Sequence, residues 1–169
     1  MRNIFLLLML LIGGAVSFAQ KSELPLNSRP LNSFNINLLG DVSILSVNYE
    51  RQVLISPTFI LSNKLGLGYH VESCFFCKIE DPNYYLTLPH HLTGNLGRGS
   101  NFFEFGLGGT MFIGDIPRHY LLYSIIGYRV LPLRSGKMNF RVFFHLPFLD
   151  PNHFDIFFMP FGLSFGVSI

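Results

Sequence analysis

Apolar and polar side chains alternate along most of this chain. In residues 58–70, Phe59, Leu61, Leu65, Leu67 and Tyr69 share one face, while Ser62, Lys64, Gly66, Gly68 and His70 share the other, with Asn63 the exception. In 101–113 the apolar face is Phe103, Phe105, Leu107, Met111 and Ile113. Its opposite carries Glu104, Gly106, Gly108 and Thr110, together with Phe102 and Phe112. Residues 138–148 set Met138, Phe140, Val142, Phe144, Leu146 and Phe148 against Asn139, Arg141 and His145. In 157–169, Phe157, Met159, Phe161, Leu163, Phe165, Val167 and Ile169 oppose Pro160, Gly162, Ser164, Gly166 and Ser168. A period of two sustained over such lengths predicts β-strands with one apolar face, because successive side chains of a strand point to opposite sides.

Turn-forming residues separate the strands. Ser56-Pro57, Gly97-Arg98-Gly99-Ser100 and Arg134-Ser135-Gly136-Lys137 are short connections, whereas 71–83, 114–119 and 149–156 are longer and more polar. Strands are thus expected near 42–54, 58–70, 84–97, 101–113, 119–132, 138–148 and 157–169. Ser33–Leu39 adds an eighth before a Gly40-Asp41 turn. An even number of strands with alternating short and long connections predicts an all-β, eight-stranded antiparallel up-and-down barrel.

The facing of that barrel follows from composition. Only 13% of residues are charged while 49% are apolar, with 19 Phe and no Trp, against roughly a quarter charged in soluble domains. The polar face reads Ser, Gly, Thr and Asn with few ions, too poor in charge for a solvated exterior but suited to a narrow lumen. The bulky apolar face suits lipid, so a transmembrane barrel is expected. The alternative is a soluble secreted lipocalin-like barrel, with the apolar face turned inward around a ligand. A net charge of +2 without a basic run predicts no nucleic-acid partner.

The first residues carry an address. Arg2, the apolar run Ile4–Ile12 and Ser17-Phe18-Ala19 are the three parts of a cleaved secretory signal peptide, assigned to 1–19. The run is too short to span a bilayer as a helix, which takes ~20 residues. A short periplasmic segment, 20–32, then precedes a barrel at 33–169.

The terminal Gly162-x-x-Phe165-x-Val167 and apolar Ile169 resemble the last strand by which outer-membrane barrels meet their assembly machinery. The usual aromatic terminal residue is replaced by Ile. With the signal peptide, the strand pattern and the segment Phe103-Glu104-Phe105-Gly106-Leu107-Gly108-Gly109, the chain resembles small bacterial outer-membrane barrels of the OmpA transmembrane-domain and OmpX type. The resemblance implies the outer membrane of a bacterium as location, with outer-membrane lipid and the barrel assembly machinery as partners. It implies no chemistry, and the surface partner stays open.

The candidate residues are few. Glu50, Lys64, Glu104 and Arg141 face the lumen by alternation, where isolated charges are costly, so a salt-bridge network filling the lumen is expected. A narrow polar path for a small solute is the alternative use of Lys64, Glu104 and Arg141. His91, Thr93 and Asn95 share the inward face. His91 with Thr93 is similar to the His-activated hydroxyl of outer-membrane lipid A hydrolases, with Glu104 as the available orienting acid. Those enzymes use Ser, and the expectation here is that the chain is not an enzyme. A bulge at Pro89 would exchange the facing of His90 and His91. Cys74 and Cys77, past an oxidising periplasm, are expected to form a loop disulfide. His70, His119, His145 and His153 fall near the outer mouth without ligand spacing, so neither metal nor cofactor is expected. Tyr84, Tyr85, Tyr120, Tyr123 and Tyr128 are read as interface girdles. The facing of 119–132 is open, since both of its faces are apolar.

Overall fold

A computed structural model of the chain describes residues 31–71, 84–114, 119–131, 137–148 and 159–169. The signal segment 1–19, Cys74, Cys77 and His153 lie outside the described residues. Eight strands form in chain order: β1 (Asn32–Leu39), β2 (Leu45–Ser56), β3 (Phe59–Val71), β4 (Tyr84–Arg98), β5 (Asn101–Ile113), β6 (Tyr120–Val130), β7 (Met138–Pro147) and β8 (Phe161–Ser168). Each pairs antiparallel with its neighbour in sequence, and β1 pairs antiparallel with β8, from Ser33↔Ser168 to Leu39↔Gly162. The result is a closed up-and-down barrel with no free edge.

The strand boundaries have local causes. Pro160 has no amide hydrogen for a ladder, and β8 begins after it. Pro89 sits inside β4: the β3–β4 ladder runs from Leu65↔His90 to Gly68↔Thr87 without pairing the positions between, and the register does not shift. His90 and His91 therefore keep their alternation, outward and inward. The expected strand at 42–54 starts later, at Leu45. Leu39, Gly40, Asp41 and Val42 all adopt left-handed backbone, with φ of 58°, 66°, 51° and 53°. That conformation curls the turn inward instead of extending β2.

The barrel is apolar outside and polar inside. Leu65 and Leu67 are each 62% exposed, and Phe103, Phe105, Leu107, Leu146 and Phe165 are exposed around them. Asn35, Asn37, Asn48, Glu50, Lys64, His91, Glu104, Arg129, Arg141 and His145 are buried within. Strand β6 turns Leu121, Tyr123, Ile125 and Arg129 inward and Leu122 and Ile126 outward. Of the expected girdle tyrosines, Tyr84 and Tyr120 are exposed, but Tyr85 and Tyr123 are interior. Small residues make room for the inner layer. A Cβ on Gly108 would meet the rings of Tyr123 and His91, and one on Gly66 would meet the Asn48 side chain.

Candidate functional site

The barrel interior holds two charged layers. The layer nearer the chain termini is built on Glu50 (β2), Glu104 (β5), Arg129 (β6) and Arg141 (β7). Arg129 and Arg141 are directly opposed in the β6–β7 ladder, an arrangement that repels unless countercharge intervenes. Glu50 and Glu104 supply it. Arg129 donates to both carboxylate oxygens of Glu50 and lies 3.5 Å from Glu104 Oε1, while Arg141 Nε donates to Glu104 Oε2. Asn35 Nδ2 and Gln52 Nε2 each donate to Glu50 at 3.2 Å. The Arg141 guanidinium also lies over the Phe143 ring, 4.2 Å from its centroid.

The second layer is organised by the inward turn. Gly40 rests against Phe143, where a Cβ would collide with the ring, and Val42 packs with Tyr85, Phe112, Leu121 and Ile125. Asp41 is thereby carried into the lumen, fully buried. Its Oδ2 accepts from Asn37 Nδ2 and Ser46 Oγ and lies 3.7 Å from Lys64 Nζ. Its carbonyl accepts from Thr110 Oγ1 at 2.8 Å, and its backbone N–H donates to His145 Nδ1 at 3.2 Å. Its Oδ1 stands 3.0 Å from His91 Nε2 and 3.7 Å from His145 Nε2. The Lys64 ammonium is the countercharge to this buried carboxylate. Tyr123 Oη completes the layer, 3.0 Å from His91 Nε2 and 2.9 Å from Thr110 Oγ1.

The four charges singled out by alternation are thus all interior, but they do not pair only with one another. Glu104 meets Arg141; Glu50 meets Arg129, and Lys64 faces Asp41, two partners that alternation does not reveal. A charge in an otherwise apolar strand points inward, and that rule applied to Arg129 identifies the inner face of β6. Asp41 left no such signal, because a Gly-Asp pair reads only as a turn. His91 and Thr93 are both interior, yet the carboxylate beside His91 is Asp41 and not Glu104. His145 lies inside the barrel against His91, with ring centroids 5.5 Å apart, and His119 is exposed.

Three carboxylates (Asp41, Glu50, Glu104) and three cations (Lys64, Arg129, Arg141) leave this interior without net charge when the histidines are neutral. Asn37, Asp41, Glu104, Tyr123, Phe143 and His145 are wholly out of solvent contact. Comparison with known protein families, with curated proteins and with solved structures finds no match to this chain.

Proposed function

We propose that the chain is an outer-membrane β-barrel protein with a filled lumen, serving a structural or surface-interaction role in the cell envelope. The observation that carries this reading is the inverted surface: a closed barrel whose exterior is dominated by Leu, Phe, Ile and Val, while Asp41, Glu50, Lys64, Glu104, Arg129 and Arg141 are buried inside. Water offers such an exterior nothing, since a contiguous apolar surface that encircles a molecule exceeds what soluble monomers expose. Hydrocarbon demands what the fold supplies, namely a backbone hydrogen-bonded around a complete ring.

The filled lumen supports a non-conducting role. The inward turn with Val42 occupies the upper interior, and paired charges occupy the lower. Surface interaction then falls to the connections 71–83, 114–119 and 149–156, at the end away from both termini. Export by the 1–19 signal peptide, docking of the last strand on the assembly machinery, and lipid as the surrounding partner belong to the same proposal.

The test is to refold Gln20–Ile169 into detergent micelles and compare boiled with unboiled samples by gel electrophoresis, with far-ultraviolet circular dichroism alongside. The expected result is a mobility shift on boiling with a strand spectrum, and no conductance steps when the protein is inserted in a planar bilayer. A chain folded and monodisperse without detergent overturns the membrane reading. Regular conductance steps overturn the filled lumen.

A further inference from the structure

The geometry points to a transition-metal site inside the barrel, formed by Asp41, His91 and His145. The three residues come from separate elements, the β1–β2 turn, β4 and β7. One ligand atom from each falls within 4.8 Å of the others. Asp41 Oδ1 lies 3.0 Å from His91 Nε2 and 3.7 Å from His145 Nε2. An ion held tetrahedrally with bonds of about 2.0–2.1 Å keeps its ligands about 3.3–3.4 Å apart. The two observed spacings bracket that value, and the set closes onto an ion once the two histidine nitrogens, within 4.8 Å of one another, draw together.

Two further observations single out this cluster. His145 Nε2 is completely buried, has no hydrogen-bond partner among the described residues, and faces Asp41 Oδ1 at 3.7 Å, where His91 Nε2 also converges at 3.0 Å. Buried polar atoms are nearly always satisfied, and an unpartnered imidazole nitrogen aimed at a carboxylate oxygen and a second imidazole marks a place where something else binds. The second is the turn itself. Leu39, Asp41 and Val42 hold left-handed backbone that L-residues avoid, and strain of that kind gathers where a side chain must be delivered to a site.

The surroundings suit an ion as well. Asn37 and Ser46 hold the other oxygen of Asp41, and Thr110 holds its carbonyl, so the carboxylate is oriented from outside the ligand set. Tyr123 Oη, 3.0 Å from His91 Nε2, is a further polar group beside the set. Two imidazoles and one carboxylate favour zinc, cobalt, nickel or copper over magnesium or calcium. Ligation through both Nε2 atoms places the ring hydrogens on Nδ1, and His145 then gives up the bond it accepts from Asp41 N–H. The site is closed to solvent, so the ion enters while the barrel folds or when the turn withdraws. Lys64, 3.7 Å from Asp41 Oδ2, repels a cation, and its removal strengthens binding. This assignment does not depend on what surrounds the barrel, because the ligands are interior in either case.

The test uses the tag-free chain refolded with cobalt(II), whose visible absorption reports coordination, and with zinc for X-ray absorption. The expected result is one ion per chain, with two imidazoles in the zinc shell. His91→Gln and His145→Gln should each weaken cobalt binding by more than about 100-fold, beyond the 10–100-fold that loss of a supporting partner costs. His90→Gln, on the outer face, leaves binding unchanged. Lys64→Gln tightens it by about tenfold or more, an effect that a purely structural lysine would not produce. Absence of a stoichiometric cobalt signal in the refolded chain overturns the site. So does a signal that survives both histidine substitutions. Where those variants fail to fold, fewer than two imidazoles around zinc in the unaltered protein overturns it equally.

Discussion

Replacing Arg129 by Met tests the interior charge balance most directly. Arg129 is the only cation bonded to Glu50 among the described residues, and it also reaches Glu104. Its removal leaves two carboxylates facing a single guanidinium, that of Arg141, which is committed to Glu104. Glu50 would keep only the neutral donors Asn35 and Gln52. Stripping one partner from a buried ion pair costs about 3–5 kcal/mol, since the remaining charge is desolvated without compensation. Arg129→Met should therefore destabilise the barrel by about that amount. Adding Glu50→Gln restores a neutral interior and recovers at least about 2 kcal/mol. Adding Glu104→Gln instead recovers less, because it removes the one carboxylate bonded to Arg141 among the described residues. The assay is urea unfolding of the refolded protein in micelles, followed by the loss of the unboiled gel band. A cost for Arg129→Met below about 1 kcal/mol, or equal rescue by the two glutamine substitutions, would refute the proposed pairing.

Four further outcomes are expected. Leu65→Arg places a charge midway along β3 on the outer face and should weaken folding into lipid vesicles by about 2–4 kcal/mol; unchanged stability there would count against lipid as the surrounding medium. Gly108→Ala drives a methyl group into the Tyr123, His91 and Ile125 side chains and should cost about 1–3 kcal/mol through overpacking, measured by the same urea titration. Val42→Gly should change stability by less than about 1 kcal/mol although Val42 is only 2% exposed, because relief of left-handed strain offsets lost burial. The comparably buried Ile60, in ordinary strand geometry, should lose about 2–5 kcal/mol on replacement by Ala.

The fold was legible wherever one face of a strand is apolar and the other is not. Period two, with the turn residues between the runs, locates the eight strands to within a few residues, and period two places Glu50, Lys64, His91, Glu104 and Arg141 inside. It is silent about β6, where Leu121 and Ile125 face in while Leu122 and Ile126 face out, so the inward Arg129 and Tyr123 went unrecognised. Alternation gives the facing of a side chain but not its height in the barrel. Height depends on the tilt of each strand and the register around the ring, and it decides which charges meet. That is why Glu104 looked like a partner for His91. Asp41 was hidden for another reason. Its position depends on a turn curling inward, which follows from the shape of the space it fills and not from any local pattern.

The seam between β1 and β8 joins the two parts of the chain furthest apart in sequence. Closing it demands the largest loss of chain freedom of any ladder in the barrel. The inward turn extends directly from β1, so the plug travels with the strand that makes this seam. Sealing the ring and filling it are therefore coupled: an intermediate with β1 detached has two unsatisfied edges and a hollow centre at once. Partial opening at the seam exposes interior charge in the same event. A barrel assembled this way has little intermediate ground between a leaky, unzipped state and a complete one, and its folding transition should be sharply cooperative for that reason.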